Sequence, residues 1–236
     1  MKTKVVLFDL DATLLPMDQD KYTKFYFDGL VKAGSAYYKD SDKLREGVMR
    51  GIGAMVHNDG RMTNEKIFWH TLSLHLGIGK EECLHIFDSF YENEFDKAIQ
   101  FCTPTQRSRE VVQFIKSRGL RVAVATSPVY PRIATEKRIR WAGFSPDEFE
   151  FFTTYEDSYY TKPSLGYYSS LLDKLCVGAE ECVMVGNDVY DDMPAARLGI
   201  QTFLHTDCLI NNRGLEYSHY TQGGFDELVE FIKSLS

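Results

Sequence analysis

The order of apolar and polar positions predicts alternating strands and helices over most of the chain. Short apolar runs that end in polar residues are typical of buried parallel strands, and they occur at Val5–Phe8, Val122–Ala125, Phe149–Phe152, Cys182–Val185 and Ile200–Leu204. Helical spacing separates several of them, at Arg107–Arg118, Arg132–Trp141, Leu165–Leu175 and Met193–Leu198. The sequence therefore predicts an α/β fold whose core is a Rossmann-like, doubly wound parallel sheet.

Residues 16–103 interrupt this alternation. Aromatic residues, Lys and Glu recur there at helical spacing, in the segments Lys21–Ala33, Asp42–Met55, Asn64–Leu76 and Lys80–Phe95. We therefore expect residues 16–103 to form an inserted α-helical cap subdomain. The core would then consist of residues 1–15 and 104–236, joined to the cap by short hinges near Pro16 and Pro104.

Polar residues stand at the ends of predicted strands and in one loop. They are Asp9, Asp11 and Thr13 after the first strand, Thr126 and Ser127 after the second, Lys162 in a loop, and Asp188 and Asp192 after a later strand. Ligands bind at the carboxyl ends of the strands in open parallel sheets. We therefore expect these side chains to share one site.

Two carboxylates at the first strand end have complementary roles available to them. Asp9 can attack phosphorus beside a cation and form an aspartyl phosphate. If the chain stays extended, Asp11 points the same way as Asp9 because it lies two residues further on. Asp11 can then protonate the leaving oxygen and later accept a proton from water.

The remaining polar residues fit the binding of a cation and a phosphoryl group. Mg²⁺ prefers one or two protein carboxylates together with phosphate oxygens, and Asp9 and Asp188 suit this, with Asp192 as a supporting neighbour. Lys162 supplies a positive charge for the nucleophile and the phosphate. Thr126 offers a hydroxyl and Ser127 a backbone amide to phosphate oxygens.

These motifs together resemble those of the haloacid dehalogenase superfamily, in particular its phosphatases. The opening DxDxT motif is matched by "DLDATL" from Asp9, and the strand ending in Thr or Ser by "VAVATS" from Val122. The lone Lys motif is matched by "TKPS" from Thr161, and the acidic turn by "GNDVYDD" from Gly186. The four motifs follow the family order across nearly the whole core.

The resemblance implies a role for each matched residue. It implies Asp9 as nucleophile and metal ligand, Asp11 as general acid/base with its backbone carbonyl on the metal, and Asp188 as the third protein ligand of Mg²⁺. Thr126 and Lys162 are implied to bind phosphate. We also expect Leu10 and Ser127 to contact the phosphate, and Thr13 and Asp192 to support the ligands from outside. The helical insertion resembles the mobile cap of the family.

The sequence departs from the family pattern at two positions. Ala12 stands where Gly is usual, and Asn187 precedes Asp188 where Gly is common. Ala12 would restrict the backbone after the nucleophile. Asp191 lies inside the acidic motif, but we expect it to face solvent or to cap the next helix.

Composition limits the classes of binding partner and the cellular compartment that we expect. The formal net charge of −7 argues against nucleic acid as a partner. Asp9 and Asp11 interrupt the first apolar run, and no later run is long enough for a membrane helix, so we expect a soluble cytoplasmic protein that binds no membrane. Scattered cysteines predict free, mostly buried thiols rather than disulfides; they are Cys83, Cys102, Cys176, Cys182 and Cys208.

The function predicted from these residues is Mg²⁺-dependent hydrolysis of a small phosphorylated metabolite. Alternatives are a phosphomutase of the same fold, similar to β-phosphoglucomutase, and a non-catalytic metal-binding or regulatory module. The dehalogenase branch lacks the second carboxylate and is disfavoured by Asp11. A receiver domain would explain neither Asp11 nor the insertion. The sequence specifies neither the substrate nor the oligomeric state.

Overall fold

A central parallel sheet organises the molecule, and the computed structural model describes residues 3–79, 81 and 85–235. The strands are β1 Val5–Phe8, β2 Arg121–Val124, β3 Cys182–Gly186, β4 Gln201–His205 and β5 Thr221–Gly223. They lie in the order β2-β1-β3-β4-β5, all parallel. The direction of winding reverses between β1 and β3, and such a switch point opens a ligand crevice at the carboxyl ends of the strands.

Helices cover both faces of this sheet. The α-helices are α1 Gln19–Gly34, α2 Ser41–Val56, α3 Asn64–Leu76, α4 Gln106–Ser117, α5 Arg132–Trp141, α6 Leu165–Leu175 and α7 Phe225–Ser234. Val6 and Phe8 pack with α4, α5 and α7, while Val5 and Leu7 pack with α6. Because neighbouring strand residues point to opposite faces, β1 is buried on both sides, and the predicted doubly wound α/β core is confirmed.

The insertion after β1 is helical, and aromatic side chains form much of its core. It contains α1, α2 and α3, a π-helix at Phe90–Glu94 and a 3₁₀-helix at Phe95–Phe101. The chain enters and leaves it through adjacent segments, since the Asp18 amide donates to the Phe101 carbonyl at 2.9 Å and the Thr103 amide donates to Pro16 at 2.7 Å. These bonds support the predicted boundaries at 15/16 and 103/104, which remain a prediction.

The predicted helix Lys80–Phe95 is helical only in part where the structure describes it. Lys80 and residues 82–84 lie outside the described residues, and residues 85–87 form a turn. The wider turns of the π-helix that follows present Phe90 and Tyr91 to the ring of Tyr26 at 5.8 and 6.4 Å. Packing of large rings against α1 therefore replaces regular helical geometry here.

Other local predictions also need correction. The Phe149–Phe152 segment runs beside β2, but its bridge to the sheet involves Phe152 and Val124 alone among the described residues, so it is not a full strand. Met193–Leu198 is a 3₁₀-helix rather than an α-helix. Of the four described cysteines, which are free, Cys182 alone is buried, so mostly buried thiols were a wrong expectation; Cys83 lies outside the described residues. No helix in the described ranges is long and apolar enough to cross a membrane.

The start of α3 is anchored to the core beside the predicted site. Asn64 is fully buried, and its side-chain amide donates to the carbonyls of Pro128 at 3.0 Å and Tyr160 at 3.2 Å. Its backbone amide donates to Ser158 at 2.7 Å. These carbonyls lie in the loops that carry Ser127 and Lys162. The insertion thus fixes both loops from above.

Candidate active site

The end of β1 places Asp9 at the switch point, where it contacts Lys162. The apolar run Val5–Phe8 is fully buried, and the chain leaves it with Asp9, which is 8% exposed. The Lys162 ammonium donates to Asp9 Oδ1 at 2.7 Å and to Asp192 Oδ1 at 2.6 Å. Residues from three distant parts of the sequence therefore meet in one buried ion-pair network.

The turn after β3 holds Asp188 and Asp192 in a fixed relation. Asp188 Oδ1 accepts from the amides of Tyr190 at 2.7 Å and Asp191 at 3.0 Å, which orients its carboxylate. The Asp188 amide donates to Asp192 Oδ2 at 2.9 Å. A Cβ on Gly186 would lie 2.2 Å from Asp192 Cγ, so this close approach requires glycine.

The end of β2 brings Thr126 and Ser127 to the same cavity. Thr126 is buried at 3% exposure, and its carbonyl accepts from the hydroxyls of Thr153 and Tyr167. These bonds hold the turn that exposes Ser127. Thr126 and Ser127, two of the residues predicted to bind phosphate, both lie in the wall of the cavity.

Thr13 and Leu10 behave differently from each other. Thr13 Oγ1 lies 3.0 Å from Asn187 Oδ1 and 3.4 Å from Asp9 Oδ2, which agrees with a supporting position. Leu10 is not part of the cavity wall, and its side chain is fully buried in the apolar core. The Leu10 side chain therefore does not reach the cavity.

Asp11 lines the cavity beside Asp9. Its ion-pair partner is Arg138, which the sequence analysis did not predict as part of the site. Arg138 on α5 is 0% exposed and donates through Nη1 to Asp11 Oδ2. Asp11 Oδ1 is buried and has no hydrogen-bond partner among the described residues. Arg138 is thus part of the surroundings of the site although it lies outside every recognised motif.

The cavity around these groups has a volume of about 130 Å³. Its wall consists of Asp9, Asp11, Gln19, Thr126, Ser127, Tyr130, Lys162, Asn187, Asp188, Asp191, Asp192 and Ile210. Gln19, Tyr130, Asn187 and Ile210 were not predicted as site residues, and no sequence signal marks Gln19 or Ile210. Asp191 also lies in the cavity wall, although we expected it only to face solvent or to cap the next helix.

The wall carries more negative than positive charge. Five of its residues are aspartates and one, Lys162, is a cation. Burial raises the pKa of Asp9 to about 7 although Lys162 opposes the shift, and burial together with Asp188 raises the pKa of Asp191 to about 6. Burial disfavours the charged Lys162, but Asp192 and Asp9 outweigh this and raise its pKa well above the usual range. The cavity therefore carries an excess of negative charge.

The donor set fits a hard divalent cation. No group of three or more His, Cys, Asp or Glu side chains in the described ranges forms a metal-binding arrangement. Mg²⁺ does not need one, because it takes one or two protein carboxylates and completes its shell with water and phosphate oxygens. Asp9 and Asp188 supply carboxylates at adjacent strand ends, and the excess negative charge of the wall favours a cation there.

Fold and site together define a Rossmann-like α/β protein with an acidic, lysine-containing ligand site at the switch point of its sheet. The haloacid dehalogenase-like hydrolase family matches residues 3–199. The chain therefore belongs to that family of hydrolases. A curated relative, the pyrophosphatase PpaX of Bacillus cereus strain Q1, is 25% identical over 203 residues, covering 86% of this chain and 82% of the relative.

Two solved structures share the fold over nearly the full length of this chain. An HAD phosphatase from Thermococcus onnurineus superposes with a TM-score of 0.59 at 18% identity, covering 98% of each chain. The HAD-hydrolase YfnB from Bacillus subtilis bound to magnesium superposes with a TM-score of 0.58 at 15% identity, covering 98% of this chain and 99% of the other. At these identities the likeness shows the fold alone.

Proposed function

We propose that this chain is a Mg²⁺-dependent phosphohydrolase that cleaves a small phosphomonoester through an aspartyl phosphate on Asp9. The observation that carries the proposal is the buried network in which Lys162 binds both Asp9 and Asp192 beside Asp11. A bare carboxylate is a weak nucleophile, and a neighbouring ammonium can hold it and the incoming phosphoryl group together. The remaining cavity, about 130 Å³, suits a small substrate.

In the first half of the reaction, an Asp9 oxygen attacks phosphorus while the bond from phosphorus to the leaving oxygen breaks. Lys162 binds phosphoryl oxygens, and Thr126 and Ser127 bind them from the other side. Asp11 gives its proton to the leaving oxygen. In the second half, water attacks phosphorus, Asp11 takes a proton from that water, and the bond to Asp9 breaks.

Asp9, Asp188 and the backbone carbonyl of Asp11 would hold the Mg²⁺ ion. When bound, the ion neutralises negative charge on the phosphoryl oxygens. Asp192 binds Lys162 and the Asp188 amide, so it keeps the ammonium and the acidic turn in register. Thr13 Oγ1 lies within hydrogen-bond distance of both Asp9 and Asn187 and supports them.

The substrate class rests on chemistry rather than on the relatives. The PpaX proteins are named pyrophosphatases, so inorganic pyrophosphate belongs in any substrate panel. In the described wall, however, Lys162 is the one cation facing five aspartates. A leaving group that carries further negative charge would therefore meet repulsion. We favour a phosphomonoester with a small uncharged leaving group.

The test is phosphate release from a panel of small phosphomonoesters and pyrophosphate, with Mg²⁺ and with EDTA. We expect Mg²⁺-dependent release that falls at least about 10⁴-fold in Asp9→Asn, a nearly isosteric change that removes the nucleophile. Asp42→Asn makes the same chemical change on an exposed residue of α2 and should leave release intact.

Two results would contradict the proposal. Release that persists in Asp9→Asn would exclude an aspartyl phosphate on this residue. A folded wild type that releases no phosphate but isomerises a sugar phosphate, followed by phosphorus NMR, would establish the mutase instead. Absence of both activities in a protein that binds Mg²⁺ would favour the non-catalytic module.

A further inference from the structure

The guanidinium of Arg138 is buried at the junction between the core and the insertion. It lies on α5 and is 0% exposed. Besides the bond from Nη1 to Asp11 Oδ2, Nε donates to the Ala134 carbonyl at 3.3 Å and Nη2 donates to Thr135 Oγ1 at 3.1 Å. The face of the guanidinium lies 4.0 Å from the ring centroid of Tyr130. Contacts on several sides therefore fix its position.

Burial of a cation at this place is hard to explain by folding alone. Removing a guanidinium from water is costly, and an apolar side chain of similar volume often gives equal or greater stability. The neighbours Ala134 and Ile139 are ordinary core residues of α5. Apart from the stacking on Tyr130, the contact that calls for a cation here is the one with Asp11.

This contact makes the two oxygens of Asp11 unequal. Oδ2 accepts an N–H from Arg138, whereas Oδ1 is buried without a hydrogen-bond partner in the described part of the chain. A guanidinium whose other donors are also bound holds its carboxylate partner in one direction. Arg138 therefore fixes the direction of the Asp11 carboxyl group.

We propose that Arg138 is a positioning residue: its contact with Asp11 Oδ2 fixes the direction of the carboxyl group that exchanges protons with the substrate. The proposal rests on the proposed function. As the phosphorus–oxygen bond to the leaving group breaks, the Asp11 carboxyl group gives its proton to the leaving oxygen. In the second half, the Asp11 carboxylate takes a proton from the attacking water. Arg138 stays on Oδ2 throughout, touches no substrate and transfers no proton.

The proposal predicts an effect that depends on the leaving group. Acetate departs from acetyl phosphate as a stable anion and needs little protonation, whereas the alkoxide of glycerol phosphate needs a proton. The ratio kcat/KM reports only the steps up to the first irreversible phosphoryl transfer, so the later hydrolysis does not obscure the comparison. We expect Arg138→Met to lower kcat/KM about 10²-fold for glycerol phosphate and less than about threefold for acetyl phosphate.

Variants of Asp11 distinguish a positioning role of Arg138 from a general disruption of the site. Asp11→Asn should show the same discrimination between the two substrates. The double variant Arg138→Met with Asp11→Asn should lose no more than Asp11→Asn alone, because the arginine acts only through that carboxyl. If Arg138→Met does not fold, Arg138→Lys keeps a buried cation with a different donor geometry, and we expect it to lose about tenfold on glycerol phosphate alone.

Three outcomes would overturn the proposal. They are an equal loss on both substrates, a further loss in the double variant, or full activity in Arg138→Met. These outcomes are evaluated only if the wild-type protein releases phosphate and the Asp9→Asn variant does not. Failure of this inference is therefore distinct from failure of the proposed function.

Discussion

Lys162 and Arg138 are both buried cations that bind aspartates of the site, yet they do so in different ways. Lys162 lies in the loop before α6 and bridges Asp9 and Asp192 with one ammonium. Arg138 lies within α5 and binds a single carboxylate, while its other donors are held by its own helix.

The difference follows from the chemistry of the two side chains. An ammonium is a compact charge whose donors rotate freely, so it can neutralise two carboxylates and an incoming phosphate together. A guanidinium is a planar fork that is fixed once its donors are bound, so it defines the direction of one partner. We infer that Lys162 supplies charge at the nucleophile and that Arg138 supplies orientation at the acid.

The largest effect is expected when Lys162 is removed. Lys162→Met should lower kcat/KM about 10³-fold for acetyl phosphate and glycerol phosphate alike, because both substrates present the same phosphoryl group to the ammonium. Steady-state kinetics on the two substrates measures this. Lys174→Met, on the neighbouring helix and outside the cavity, is the matched control. A loss confined to glycerol phosphate would remove the distinction between the two cations.

A smaller effect is expected when one hydrogen-bond acceptor of Arg138 is removed. Thr135→Val keeps the shape of the buried side chain but leaves Arg138 Nη2 without its acceptor. We expect about 1.5 kcal/mol less free energy of unfolding, and a loss of about threefold in kcat/KM for glycerol phosphate only. Urea denaturation and the two-substrate assay measure the two quantities.

The control for this variant is Thr135→Ser, which keeps the hydroxyl and should retain the substrate ratio of the wild type. If Thr135→Val were to change both substrates equally, the hydroxyl would act on the packing of α5 rather than on the direction of the guanidinium.

The smallest effect concerns the turn that follows the two carboxylates. Ala12 has φ of 61°, in the left-handed region that costs a residue with a Cβ free energy. Ala12→Gly should therefore raise the free energy of unfolding by about 0.5–1 kcal/mol, measured by urea denaturation. Ala54→Gly, in the last turn of α2, should lower it instead. A destabilised Ala12→Gly would show that the Cβ contacts outweigh the backbone strain.

Much of the site could be predicted from sequence because its residues stand directly at strand ends. Asp9, Thr126 and Asp188 each follow a buried apolar run, and parallel strands bring such ends to one edge. Lys162 could be identified only from its position between the other motifs, because a lone lysine in a loop has no sequence pattern of its own. The structure brings it within 2.7 Å of Asp9.

Arg138 was missed for a physical reason. Its neighbours on the buried face of α5 include Ala134, Thr135 and Ile139, so its position on that face was readable from helical spacing. A charged residue on a buried face requires a partner, and that signal was available. The identity of the partner was not, because Asp11 is 127 positions away along the chain.

The regions predicted least well lack periodic apolar patterns or depend on distant packing. Strand β5, Thr221–Gly223, has no apolar run, and it forms because β4 offers a free edge. Helix α7 received no prediction although Phe225, Leu228 and Ile232 are buried. The π-helix at Phe90–Glu94 depends on rings of α1 that no local pattern reveals.

The sequence by itself determined the class of fold and the chemistry at the strand ends, because apolar runs, strand polarity and motif order are local properties. Only the tertiary structure decided which charges meet. The Lys162 bridge, the inclusion of Asp191 in the cavity wall and the Arg138 contact with Asp11 depend on side chains brought together across the chain. Burial strengthens each of these charge interactions, because little water is present to screen them.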